Sequence, residues 1–243
     1  MKNREKCRLL TEYCLKNKQT LRMSLIIYRE ESNIHLEDIR CEIRLKRWRG
    51  LIMIEFILLS RKGRTDGKFR NLREAGRLDV IYQCILFAFF TSGAIRRDVM
   101  FHAILGGPPR PPLHLIIDGR KLENVRTDEQ TWEKILRKVL SGGSHPGIYL
   151  RKESFQGLLR TMIHRNIFVL EEKGCDIMKV DFGSDPVFIL GDHVGLPKKD
   201  ETFALRFGTK ISIGKKPYLA ATCIDIINYL LDLRSGWRRE PIS

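Results

Sequence analysis

Val187-Phe188-Ile189-Leu190-Gly191-Asp192-His193-Val194-Gly195-Leu196-Pro197 carries a hydrophobic strand straight into two glycines, a carboxylate and a closing proline. A short unbroken apolar run bounded by turn residues is that of a strand covered on both faces, as in a parallel sheet. Ligands of open α/β sheets bind beyond the carboxyl ends of their strands, which is where this loop lies. Gly191 and Gly195 admit main-chain groups close to a ligand. The alternative is an ordinary glycine-rich strand-to-helix turn. Downstream, Ser212-Ile213-Gly214-Lys215-Lys216-Pro217-Tyr218 has the same texture and feeds the last apolar helix. Two such loops at adjacent strand ends could make one pocket.

Outward from these loops, strand-like and helix-like segments alternate from Met53 onward. Strands are expected over residues 53–60, 99–105, 113–117, 147–150, 167–171 and 187–190, and helices over 78–91, 128–140, 155–164, 199–207 and 218–233. The second helix is the best specified. Thr127 and Gln130 form a capping box, Trp132, Ile135, Leu136, Val139 and Leu140 recur at helical spacing, and Gly142 and Gly143 end it. Such alternation implies an α/β domain with a largely parallel sheet flanked by helices. The last helix is apolar around most of its circumference, which asks for cover on nearly every side: a second subunit, or a deep slot within the chain.

The chain of 243 residues is 43% apolar, enough for a substantial core, and it carries 44 Lys/Arg against 29 Asp/Glu for a net charge of +15. That surplus makes a polyanion, nucleic acid first, the expected partner. Residues 1–52 hold 13 Lys/Arg against 7 Asp/Glu and few patterned apolar residues, and read as a basic extension before a domain at 53–234 and a short tail at 235–243. No stretch approaches the about 20 apolar residues of a membrane span. Nor is there an apolar core long enough for a signal peptide, so a soluble cytoplasmic protein is expected. Six cysteines without a Cys-x-x-Cys pair point to reduced thiols and no structural metal. Gly63–Lys68 falls short of a phosphate-binding loop by one residue, and no Gly-x-Ser-x-Gly, His-Glu-x-x-His or Gly-x-Gly-x-x-Gly occurs.

Three further segments carry charge or stiffness. Gly106–Pro112 contains four prolines and reads as a stiff polyproline-like connector. Gly76-Arg77-Leu78-Asp79 precedes the first helix and Ile95-Arg96-Arg97-Asp98 follows it. Their arginines read equally as a phosphate clamp or as structural ion pairs, Arg77 with Asp79 and Arg96 with Asp98.

These segments, with Gly107–Pro112, Pro146–Tyr149, Val187–Pro197 and Tyr218–Ile224, are similar in order and type to those of the archaeal tRNA pseudouridine-54 N1-methyltransferases, a SPOUT (α/β-knot) family. The resemblance spans about residues 53–234. It implies a C-terminal trefoil knot, an S-adenosylmethionine site in the knot loops and an obligate homodimer acting on the tRNA T-arm. Carried over by position, Leu170, Gly191, Ile213, Gly214, Lys215, Lys216, Pro217, Tyr218 and Cys223 contact the cofactor. Asp79 is then the candidate base or orienter, or else a helix-start carboxylate, and Arg77, Arg96 and Arg97 the candidate RNA contacts. The family pattern Gly-Pro-x-Ser-Tyr is replaced here by Gly214-Lys215-Lys216-Pro217-Tyr218, and its histidine before the cysteine by Thr222. A sister enzyme acting on small-subunit ribosomal RNA and a non-catalytic RNA-binding protein are the rival readings.

Overall fold

The computed structural model describes residues 53–234; the readings made for residues 1–52 and 235–243 lie outside the described residues. In chain order the elements are β1 (Ile54–Ser60), α1 (Leu78–Phe89), β2 (Phe90–Thr91), β3 (Ala94–Ile95), β4 (Val99–Leu105), β5 (Leu113–Asp118) and α2 (Glu129–Leu140). There follow β6 (Ile148–Arg151), α3 (Phe155–Thr161), β7 (Asn166–Asp176), β8 (Pro186–Gly191), α4 (Lys198–Ala204), β9 (Gly208–Ser212) and α5 (Ala220–Arg234).

Seven strands form one sheet in the order β6-β5-β4-β1-β8-β7-β9, and β2 and β3 make a separate small hairpin. From β4 to β9 every neighbouring pair is parallel; β5 and β6 join antiparallel at the other edge. β1 lies at the centre and is buried along its whole length, which accounts for its unbroken apolar texture. On one face, Phe56, Leu58, Phe101 and Phe188 pack with α1, α2 and α5; on the other, Ile57, Leu59, Val187 and Ile189 pack with α3 and α4. Phe188 stacks on Phe56 and Phe168 and meets Phe182 edge-on, at centroid distances of 5.6, 5.5 and 5.1 Å.

The expected alternation is present, with two differences. The N-cap of α2 is Asp128, whose carboxylate accepts from Thr131 N at 2.8 Å, rather than Thr127; Asp outcompetes because its oxygen reaches the open amide from the extended cap position. Gly142, at φ +95°, ends that helix as expected. The proline-rich stretch is, as expected, a connector between two strands, and it returns the chain from Leu105 to its antiparallel partner Leu113. β9, where no strand was expected, pairs with β7; only Ile211 and Ser212 of it are buried, so no strand-length apolar run marks it.

Beneath α3 a polar chain crosses the sheet. Glu55 Oε2 lies 3.0 Å from His102 Nε2, His102 Nδ1 lies 2.9 Å from His114 Nε2, and His114 Nδ1 lies 2.9 Å from Glu153 Oε2. Arg165 Nη1 donates to the other oxygen of Glu55 at 2.6 Å. Burial pushes Glu55 up, but the hydrogen bond and charge of His102 and the charge of Arg165 outweigh it and hold the carboxyl below its usual range. Burial, then the neighbouring His102, push His114 down to about 4.

Both shifts have the same sign: the unfolded chain binds more protons, so stability is complete above the unfolded histidine value of about 6.5 and declines as pH falls toward 4. Urea midpoints measured from pH 7 to pH 4 are expected to fall steadily, and His114→Gln to flatten that slope. Equal slopes for the two proteins exclude His114 as its source.

Candidate active site at the carboxyl edge of the sheet

Because β4, β1, β8, β7 and β9 run parallel, all five end on one edge, and their exits are interlocked by main chain. Gly106 N donates to Ser60 O at 2.8 Å and Gly107 N to Gly63 O at 2.9 Å. Lys62 O passes so close to Gly76 and Gly107 that a Cβ there would stand 1.7 and 2.3 Å from it. Gly76 also sits at φ +70°, in the left-handed region. Buried Thr65 accepts from Arg110 N at 2.7 Å and donates to Gly107 O at 3.2 Å. Hence Gly76–Asp79 and Gly107–Pro112, two separated sequence segments, meet around the turn after β1.

The sheet order also gathers the expected cofactor residues. β7 lies between β8 and β9, so Leu170 stands between the loops that follow Gly191 and Ser212. Leu170 pairs with Ile211, after which residues 171–174 bulge out before Cys175 resumes the ladder. Ser212 Oγ lies 3.0 Å from the carbonyls of both Glu172 and Gly214 and accepts from Gly214 N at 3.2 Å, holding the second loop against that bulge. In the first loop Gly195 N returns to Asp192 O at 2.9 Å, and a Cβ on Gly191 would stand 2.3 Å from the Gly195 carbonyl carbon. Ile213 packs on the core, while Gly214, Lys215, Lys216, Pro217 and Tyr218 are exposed. Cys223 is half-buried behind them; burial pushes its thiol up to about 11, so it is a neutral packing group rather than a nucleophile.

The charged candidates divide. Arg77 N-caps α1 from the left-handed region, and its Nε and Nη2 fork onto Asp79 at 3.0 and 3.1 Å. That is one of the two ion pairs anticipated. The other does not form: Arg96 clasps both oxygens of Asp232 on α5 instead of Asp98. Arg97 Nη1 caps the carbonyls of Gly119 and Leu122 at 2.8 and 2.7 Å. Arg96 and Arg97 thus direct these donors into the fold. Asp192 was not singled out from sequence, yet its nearly buried carboxylate accepts from Arg61 N at 3.0 Å and Val194 N at 2.9 Å and adds to the field on Arg77. Only its place between two glycines hinted at this role. Among the described residues no group of three His, Cys, Asp or Glu side chains is arranged to hold a metal ion. No described helix is long and apolar enough to cross a membrane.

The model of a family described as putative SAM-dependent RNA methyltransferases matches residues 53–235, and the chain belongs to that family. A tRNA (pseudouridine(54)-N(1))-methyltransferase of Methanocaldococcus jannaschii is 36% identical over 200 residues, covering 74% of this chain and 97% of the relative. The enzyme of the same name from Pyrococcus abyssi is 35% identical over 197 residues, covering 73% and 96%. The crystal structure of Archaeoglobus fulgidus Nep1 bound to S-adenosylhomocysteine shares the fold at a TM-score of 0.56 and 12% identity, covering 75% of this chain and 98% of that one.

The loops fit the family's cofactor, S-adenosylmethionine. In the second loop a Cβ on Gly214 would meet only the Tyr218 ring edge at 3.9 Å, which leaves its main chain open to a ligand, whereas the space at Gly191 is taken by the main chain of Gly195 and Leu196, which fixes the turn of the first loop. Gly191→Ala should force the first loop outward and weaken S-adenosylmethionine binding by at least about tenfold while secondary structure is retained. Calorimetric titration checks this, and an unchanged affinity removes the loop from the site.

Proposed function

We propose that this protein transfers a methyl group from S-adenosylmethionine to N1 of pseudouridine 54 in the T-loop of tRNA, as a cytoplasmic homodimer. The observation that carries the reading is the convergence of both glycine loops, Leu170 and the Arg77–Asp79 fork on one sheet edge. It occurs in a chain whose relatives of that name match almost end to end. The C-terminal trefoil threading belongs to the same proposal.

S-adenosylmethionine supplies a methyl group already activated on sulfonium, so the chain's task is alignment and management of one proton. Leu170, Ile213 and Cys223 line the apolar side of the cofactor slot, and main chain of residues 191–195 and 213–218 supplies the hydrogen bonds. Asp79 keeps carboxylate lone pairs beyond those taken by Arg77, and its oxygens are fixed in direction by the fork. It accepts the N1–H of the target base, orients the ring and takes the proton as the N–C bond forms. Arg77, half-exposed beside it, offers its outer guanidinium edge to a phosphate.

The dimer reading rests on α5. Ala221, Ile224, Ile227 and Leu231 are buried, whereas Ile226 is only half-covered and Tyr229 and Leu233 stand 62% and 53% exposed on the outer face. With Leu219, 67% exposed, they form an apolar stripe suited to its own copy. Leu233→Asp should convert the dimer to monomer in sedimentation; a wild-type monomer overturns the assignment.

Labelled methyl transfer to matched T-arm RNAs carrying uridine or pseudouridine tests the activity, with a ribosomal hairpin alongside. Label is expected only on the pseudouridine T-arm. Asp79→Asn should lower kcat by about 10²–10⁴ with cofactor affinity unchanged. A kcat within a few-fold of wild type returns Asp79 to its place in the first turn of α1. RNA binding without transfer leaves a non-catalytic RNA-binding protein.

A further inference from the structure

On the face of the sheet opposite α1 and α5, helices α3 and α4 enclose an open cleft of about 480 Å3. It is lined by Gln156, Arg160, Lys198, Lys199, Thr202, Phe203 and Arg206: four cations, two neutral polar residues, one phenylalanine and no carboxylate. The guanidinium groups of Arg160 and Arg206 both lie over the Phe203 ring, 5.3 and 5.7 Å from its centroid. Stacking holds each on an apolar support while its N–H edge faces water. Glu201 is buried beneath and shared by two lysines: Lys198 at 3.1 Å, and Lys210 through its other oxygen. The surface therefore stays strongly positive.

A second cleft of about 410 Å3 continues from the first through Gln156, which lines both. It runs along Phe155, Pro197, Pro112 and a single carboxylate, Asp200, to Ser60 and Arg61, at the carboxyl end of β1. There Arg61 N is bonded to Asp192 of the first glycine loop. The two adjoining clefts thus join a mouth whose charged lining is all basic to the edge that carries the candidate active site.

We propose that this groove is an RNA-binding track in which Arg160, Lys199 and Arg206 hold backbone phosphates of the substrate on the far side of the target nucleotide. The proposal rests on the RNA methyltransferase reading and extends it to residues outside the segments by which the family is recognised. Guanidinium forks match phosphate oxygens, and the continuous path lets one strand touch both the basic mouth and the strand-end site. With Arg96 and Arg97 directed into the fold, these exposed cations supply phosphate contacts that those two were expected to make.

The test compares the triple variant Arg160→Gln/Lys199→Gln/Arg206→Gln with a control of equal charge loss on α2 and the segment before it, Arg126→Gln/Lys134→Gln/Lys138→Gln. Each is assayed with a pseudouridine T-arm RNA for binding across a salt series, for methyl transfer, and for S-adenosylmethionine affinity. The groove variant should raise KM for RNA by at least about tenfold, with kcat and cofactor affinity within about twofold. Its salt slope, d log K/d log[salt], should shrink by about 2–3, as three lost phosphate contacts require. The control should shift neither by more than about twofold. Equal effects of the two variants, or an unchanged KM and slope in the groove variant, overturn the track. Failure of the wild type to transfer methyl overturns the activity instead, and the salt series still decides the groove.

Discussion

The active edge depends on main chain packing against main chain. The carbonyl of Lys62 passes between Gly76 and Gly107 at distances that no Cβ allows, and the turn after β1 is thereby gripped by two segments from far along the chain. The Arg77–Asp79 fork and the first glycine loop are both referenced to this contact. Arg77 takes its direction from the left-handed cap immediately after Gly76, Asp79 takes its direction from Arg77, and Arg61, one residue before Lys62, receives Asp192 from the first glycine loop. Side-chain packing can be repacked; a glycine-to-carbonyl approach of this kind has no substitute, so the edge is set by sterics before any charge acts.

The sheet was largely legible because buried parallel strands advertise themselves: residues 54–60, 99–105 and 186–191 are unbroken or nearly unbroken apolar runs, and the loop after Gly191 lies where the strand-end rule puts it. The second loop leaves β9, separated from β8 by β7 rather than adjacent to it as expected. β9 was illegible for the converse reason. It is a sheet edge with only Ile211 and Ser212 buried, so its pattern is that of a loop. The partner of Arg96 was equally out of reach, since Asp232 lies 136 residues away and nothing local selects it over Asp98. Asp128 over Thr127 as the cap of α2 was a choice between adjacent competent residues, decided by one backbone register.

Positive charge is distributed by task. Arg97, Arg165 and Arg234 donate to main-chain carbonyls, Arg234 to Val180 and Ile177 at 2.7 and 3.0 Å while its guanidinium covers Phe182. These arginines tie the chain together. Net charge therefore overstates the positive surface available to a polyanion. The buried Glu55–His102–His114–Glu153 chain adds polar order to the same side of the sheet without exposing any of its histidines.

The second loop is a short span between two fixed piers. Upstream, Ser212 is pinned to the β7 bulge; downstream, α5 is clasped by Arg96 through Asp232 and anchored by Arg234 to the segment after β7. With both ends set from outside, the course of the main chain between them does not depend on which side chains it carries. The exposed residues Lys215, Lys216 and Pro217 thus hang from two fixed supports, and the slack of the loop is set at its ends rather than along its length.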